Sequence, residues 1–162
     1  MYTADALLDI HARAHESLRR LIEFCGTLSD DELRRRLPGF GMPSVHRQLE
    51  HTIGAEVYWQ RVLTTGYGEE ATLPALPDVA AIERFRAGTA AVTHAYLARA
   101  TPPEILTRRE MISDPGETRV LRPADVILRI VTHNFNHQGQ ILAMCRTMGR
   151  PNERVDLDYP LD

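Results

Sequence analysis

The chain has 162 residues and a formal net charge of -3, and 43% of its residues are hydrophobic. This length suits one domain over residues 1–162, and the charge offers no basic field for nucleic acid. There is no run of eighteen apolar residues and no basic-then-apolar leader, so we expect a cytoplasmic protein that does not enter a membrane. Two cysteines, Cys25 and Cys145, lie on apolar stripes and are expected to be buried free thiols.

The first predicted helix runs from about Thr3, a suitable N-cap, to about Thr27. Its apolar positions recur in steps of three and four, which is typical of a helix that packs in a bundle. His11 and His15 lie on this inward stripe. Their spacing leaves three interpretations open: they line a pocket beside a metal site, they are hydrogen-bonded core residues, or they bind a metal directly.

A short helix follows, opened by the capping box Ser29 to Glu32 and ending near Leu37. A loop rich in proline and glycine separates it from the second long helix, which Ser44 caps and Gly66 ends. His51 lies on the inward stripe of this helix. Three of its neighbours are expected at the surface: His46, Arg47 and Glu50.

Asp78 caps a third long helix that reaches about Ala100. The periodicity predicts four inward positions on it, namely Ile82, Phe85, Val92 and Tyr96. His94 falls on a different side of the helix together with three alanines, Ala87, Ala91 and Ala98. This second flat side is suited to close packing, and we expect it to lie at the surface or in an interface.

The pattern changes between the third and fourth long helices. Residues Ile105 to Ile112 and Thr118 to Leu121 flank a turn signal at 113–117, which predicts a small hairpin or an extended crossover. Pro123 suits the first turn of the fourth helix, and Gly149 suits its end. The four long amphipathic helices predict an all-α fold, a four-helix bundle whose long connections allow the up-down-down-up order that we expect.

The fourth helix carries the motif HNFNHQGQ, in which His133 and His137 lie one turn apart on one face. The rest of that stripe is apolar and runs through Val126, Ile130, Ile141, Met144 and Met148. Two imidazoles stacked on one face can share a divalent cation through one nitrogen each. Taken alone, such a pair more often consists of core histidines that find partners among neighbouring groups than of metal ligands.

The segments SVHRQLEHTIGAEVYW and HNFNHQGQI together resemble the DinB/YfiT-like family, and the resemblance follows the element order of nearly the whole chain. It implies a four-helix bundle, often dimeric, that holds a divalent metal such as nickel, zinc or manganese through three histidines. His51, His133 and His137 match those ligand positions one for one. One departure is Gln138, where many relatives carry arginine.

Three neutral imidazoles leave coordination positions open, which is the arrangement of catalytic metal sites. Two other metal chemistries are excluded, because the chain has neither the HExxH of metalloproteases nor the Glu-x-x-His pair of di-iron bundles. Further residues expected in the pocket, without an assigned role, are His11, His15, Glu56 and Gln140.

The resemblance leaves three functional interpretations, since relatives include transferases and isomerases that use small thiols such as bacillithiol or mycothiol. The first is a metal-dependent transferase that joins a low-molecular-weight thiol to an electrophilic small molecule. The second is metal-assisted hydrolysis, and the third is non-catalytic binding of a metal or small molecule. We also expect a homodimer, because relatives are often dimeric and the His94 side of the third helix is flat.

Overall fold

The computed structural model describes residues 2–68, 72–114, 117–152 and 157–161. Its elements in chain order are α1 (Ala4–Cys25), α2 (Asp30–Arg34), α3 (Val45–Thr65), α4 (Val79–Arg99), α5 (Pro102–Leu106), β1 (Arg109–Asp114), β2 (Glu117–Leu121) and α6 (Pro123–Thr147). The described residues are mostly helical, which confirms the predicted all-α class. None of the helices in these ranges combines the length and apolar character that a membrane span requires.

Side-chain caps begin the long helices at the predicted residues. Thr3, Ser44 and Asp78 each accept a hydrogen bond from a backbone N–H three residues further on. Ser29 forms the predicted capping box at the start of α2. Gly66 ends α3 with a positive φ of 74°, a conformation that glycine adopts without steric cost. These local signals fix where each helix starts and therefore which side chains share a face.

The long helices pack in pairs, with α1 against α4 and α6, and α3 against α6 and α4. Helices α1 and α6 run in the same direction. Ser17 contacts Gln138 and, further along both helices, the buried free thiols Cys25 and Cys145 lie in the same apolar cluster. Helix α3 runs opposite to α6. Gln48, near the start of α3, bonds to Gln140 in the second half of α6, whereas Trp59, near the end of α3, lies next to Arg129 in the first half of α6.

Two apolar clusters form the core, one at each end of the long helices. One cluster contains Leu18, Leu49 and Met144, and the other contains Leu7, Leu63 and Ile127. Between them, each of the four long helices contributes buried polar side chains at the same level, namely His11, His15, Glu56, Arg86, Thr93, Asn134 and His137. The candidate functional residues therefore lie in a polar layer between two apolar ones.

The hairpin before α6 is confirmed, with β1 and β2 pairing antiparallel from Arg109 opposite Leu121. The end of α3 continues into it, because Gly68 donates a backbone hydrogen bond to Ile112 and Ile112 donates one back to Gly66. The extended segment predicted from Ile105 is wrong at its start, where α5 forms behind a Thr101 cap and two prolines. Residues 115–116, in the predicted turn, lie outside the described residues.

Three further sequence predictions need correction. Val92 is 53% exposed and not inward, because the inward stripe of α4 carries Arg86, Thr89 and Thr93, which face the polar layer. His46 is buried and not at the surface, because the connection to α4 crosses it and the Leu76 carbonyl accepts a hydrogen bond from its Nε2 at 2.7 Å. Two helices end earlier than predicted, α1 at Cys25 and α2 at Arg34.

Candidate metal centre

His51 on α3 meets His133 and His137 on α6 in one group, which we call the histidine trio. The Nε2 atoms of His133 and His137 are 3.1 Å apart. The ring centroid of His51 lies 5.2 Å from that of His133 and 4.7 Å from that of His137. Each ring offers one nitrogen, and the three chosen nitrogens all lie within 4.8 Å of one another. Packing of α3 against α6 therefore brings together the three predicted ligands.

Gln48 fixes which nitrogen of His137 is free to bind a metal. Its amide nitrogen donates to the Met42 carbonyl at 3.1 Å and to Gln140 Oε1 at 3.0 Å. Its Oε1 consequently faces Nδ1 of His137 at 2.5 Å, and because a carbonyl oxygen only accepts, Nδ1 carries the proton. The lone pair of His137 is then on Nε2, directed at the other two rings. Metal-ligating histidines are usually oriented by such a partner.

The trio is neutral at pH 7. Burial, followed by the charges of His137 and His51, lowers the pKa of His133 to about 4, and burial followed by His51 lowers the pKa of His137 to about 4. The pKa of His51 is also lowered, by burial and then by Arg47. Neutral imidazoles have the lone pairs that divalent metals bind, and nitrogens about 2.0–2.1 Å from one tetrahedral ion are about 3.3 Å apart. The Nε2 separation of 3.1 Å fits such an ion.

A second group, His11, His15 and Glu56, lies across the interior between α1 and α3, and we call it the carboxylate cluster. His11 donates from Nε2 to Glu56 Oε1 at 2.8 Å, and His15 donates from Nε2 to Oε2 at 2.7 Å. Thr93 on α4 donates to Oε1 at 2.7 Å. Glu56 is only 1% exposed. These atoms are also close enough to hold a metal by distance alone.

Arg86 distinguishes the carboxylate cluster from a metal site. Its Nη1 lies 3.2 Å from Nδ1 of His15, and a guanidinium only donates hydrogen bonds, so Nδ1 has the lone pair. The proton of neutral His15 is then on Nε2, where it is shared with Glu56. Nε2 therefore has no lone pair for a metal while the Arg86 contact exists. The hydrogen bonds from His11, His15 and Thr93 are those of a buried carboxylate that accepts from three donors, and not those of a metal site.

The pKa of Glu56 reflects the same arrangement. Burial acts to raise this pKa, but the hydrogen bonds that His11 and His15 donate outweigh it and leave the pKa well below its ordinary value. The pKa of His15 is lowered, mainly because burial disfavours its charged form. The cluster thus contains an ionised carboxylate and a neutral His15, with the Arg86 guanidinium beside them.

The structure separates the predicted pocket residues into the two groups. Gln140 belongs with the trio, since it accepts the amide hydrogen bond of Gln48. Glu56 belongs with His11 and His15, and among the described residues no hydrogen bond or ring contact joins these three to the trio. Sequence reasoning missed the partners that orient the rings. Gln48 was detectable as a member of the His51 stripe, whereas Arg86 and Thr93 gave no signal, because the periodicity placed other residues inward.

Comparisons with known proteins agree with this architecture. A family model described as DinB family matches residues 2–161. Among solved structures, the chain is similar to a DinB-like protein, YjoA, from Bacillus subtilis, with a TM-score of 0.65 and 15% identity over 92% of this chain and 96% of that one. At this identity the likeness concerns the fold alone. A search of curated proteins gives no match.

Proposed function

The chain belongs to the DinB family, and from this premise we propose that it is a metal-dependent transferase that joins a low-molecular-weight thiol to an electrophilic small molecule. The observation that carries the proposal is the histidine trio with Nδ1 of His137 held by Gln48. Three neutral nitrogen donors satisfy part of a metal's coordination and leave positions for an exchangeable ligand.

His51, His133 and His137 would hold the ion, and nickel, zinc and manganese are the metals we propose. A bound divalent ion supplies positive charge that lowers the pKa of a thiol or water next to it. The chain itself supplies the neutral donors and the Gln48 amide that orients one of them. His51 and His133 are only partly buried, so a small molecule has access from the solvent.

In the proposed reaction the thiol sulfur forms a bond to a carbon of the electrophile. The leaving group departs with the electrons of the broken bond, and the thiol proton passes to solvent. Hydrolysis, the alternative, requires a base that activates water. No carboxylate is part of the trio among the described residues, and the buried Glu56 already accepts bonds from three groups. This difference favours a thiol, which ionises more readily than water.

The architecture proposed with this function is a single four-helix bundle in up-down-down-up order, formed by α1, α3, α4 and α6. The packing pairs and helix directions support it. His11 and His15 are proposed to lie outside the metal's ligand set and to support the open side of the pocket. We also propose a cytoplasmic homodimer.

A panel of thiols and electrophiles tests the function. Purified protein without an affinity tag is stripped of metal, reloaded with nickel, zinc or manganese, and mixed with each pair of compounds. The expected result is thioether formation that requires both protein and metal, and that disappears in the His133→Ala, His137→Ala variant. Metal-dependent release of hydrolysis products without consumption of thiol would support the alternative and contradict the transferase.

A further inference from the structure

Arg129 lies beside the trio in a fixed position. It is on α6 one turn before His133, and its guanidinium carbon is 5.0 Å from the ring centroid of Trp59 on α3. Trp59 is 8% exposed and packs in the apolar cluster that contains Leu7, Leu63 and Ile127. Stacking of a guanidinium on a tryptophan holds the arginine in place and leaves its N–H edge free. Arg129 is exposed to solvent, so this edge is accessible.

No carboxylate among the described residues balances the charge of Arg129. Arg47, on the other side of the trio, forms an ion pair with Glu50 at 2.8 Å. No ion pair to Arg129 is found among the described carboxylates. Arg129 and His133 are four residues apart on α6, so their side chains lie on the same face one turn apart. An accessible positive charge therefore remains within reach of the trio.

We propose that Arg129, held on Trp59, binds the carboxylate of the small molecule that enters the open side of the histidine trio. The inference deepens the proposed function and rests on it, because it makes the substrate class a thiol that carries a carboxylate. The planar N–H edge of a guanidinium matches the two oxygens of a carboxylate. Four residues of helix span about 6 Å, a distance that a short carbon chain between sulfur and carboxylate can bridge.

Two pairs of probes test this inference on protein loaded with cobalt(II), whose visible spectrum reports ligands in the open positions. The first pair is 3-mercaptopropionate and 2-mercaptoethanol, and the second is imidazole-4-acetate and imidazole. Within each pair only one member carries a carboxylate. We expect it to bind about fivefold more tightly, the ratio that corresponds to an ion pair of about 1 kcal/mol at a partly exposed site. The preference should fall as salt is added.

The variants are Arg129→Gln and Arg129→Lys, with Arg84→Gln on α4 as the matched control. Arg129→Gln should bind both members of a pair equally, with unchanged cobalt content, while Arg129→Lys keeps part of the preference and Arg84→Gln keeps all of it. Trp59 is the single tryptophan of the chain, so its fluorescence gives a second signal. That signal should respond to the carboxylate probes in the unaltered protein and lose the response in Arg129→Gln.

The two probe pairs separate failure of this inference from failure of the transferase proposal. If the thiols give no sulfur-to-cobalt band while imidazole-4-acetate is preferred through Arg129, the thiol chemistry is wrong and the carboxylate site is supported. If the thiols bind but neither pair shows a preference, or Arg129→Gln keeps the full preference, the role of Arg129 is overturned.

Discussion

Each of the two histidine groups of this protein contains a histidine pair with the same spacing, but the hydrogen-bonding environments of the two pairs are opposite. His133 and His137 are four residues apart on α6, as His11 and His15 are on α1. In the trio the Gln48 side-chain oxygen accepts a hydrogen bond from Nδ1–H of His137, which leaves Nε2 with a lone pair. In the carboxylate cluster an Arg86 donor occupies Nδ1 of His15, which leaves Nε2 with the proton. The partner, and not the spacing, decides whether a histidine can bind a metal.

The two histidine groups also differ in how deeply they are buried. Two members of the trio are partly exposed, so ligands can exchange there. His11, His15 and Glu56 are 2%, 3% and 1% exposed, which encloses the carboxylate with its three donors. We therefore propose that the trio binds ligands and that the carboxylate cluster stabilises the fold.

The largest expected effect on stability is at Glu56. Replacing Glu56 by Ala leaves His11, His15 and Thr93 buried without their common acceptor. Breaking a buried charged network by removing one partner costs about 3–5 kcal/mol, so urea denaturation should show a loss of that size. Metal content per folded molecule should not change. The control is Glu50→Gln on the same helix, expected within about 0.5 kcal/mol of the unaltered protein. A small loss for Glu56→Ala would show that the cluster contributes little to stability.

Metal affinity should depend on Gln48. Gln48→Leu removes the acceptor that orients His137 and is expected to weaken metal binding by about 10-fold to 100-fold. Competition with a chromophoric chelator measures this change. Gln60→Leu is the matched control, because Gln60 donates at 2.8 Å to Thr93, which in turn donates to Glu56 of the carboxylate cluster. It should lower stability and leave metal affinity unchanged, and equal affinity in both variants would contradict the role of Gln48.

The free energy of unfolding should depend on pH through the ionisation of Glu56. Its pKa is lowered in the folded state from the ordinary value of 4.5, so its ionised form stabilises the fold above about pH 4.5. As the pH falls below that value the unfolded chain takes up a proton first, and this stability is progressively lost. The difference in unfolding free energy between the unaltered protein and Glu56→Gln should therefore be constant from pH 7 to 5 and shrink towards pH 3. A difference that grows on acidification would contradict this sign.

The smallest expected effect concerns assembly and touches neither histidine group. The outward side of α4 exposes His94 with three alanines, Ala87, Ala91 and Ala98. If two copies pack there, light scattering should report about twice the chain mass of 18.3 kDa. Ala91→Glu should return the mass to that of one chain without loss of metal. A single-chain mass for the unaltered protein across micromolar concentrations would rule the dimer out.

Helix positions were largely predictable from the sequence, because the capping residues act locally. Thr3, Ser44 and Asp78 cap the helices where the pattern placed them. The failure at Val92 has a physical origin in the polar layer. Inward positions of α4 are occupied by Arg86 and Thr93 because they meet Glu56 and His15, and a search for apolar periodicity cannot detect a buried polar face.

The trio itself was predicted from three residues on two stripes and from the family resemblance. The carboxylate cluster was not predicted as a group, although the sequence had indicated each of its members as an inward or pocket residue. Glu56 comes five residues after His51 on α3, and only the packing of α1 across the interior shows that it bonds to His11 and His15. The sequence also did not predict which ring nitrogen of His137 and of His15 carries the proton, because this depends on contacts with Gln48 and Arg86 from other helices.

The most direct test of the central claim is the metal content of four proteins, measured by elemental analysis after purification without an affinity tag. We expect about one ion per chain in the unaltered protein, none in the His133→Ala, His137→Ala variant, and about one in each of His11→Gln and His15→Gln. Circular dichroism establishes that each variant is folded. Loss of the ion from folded His15→Gln, or equal metal in the unaltered protein and the His133→Ala, His137→Ala variant, would show that the metal is bound by the carboxylate cluster or not by these histidines at all.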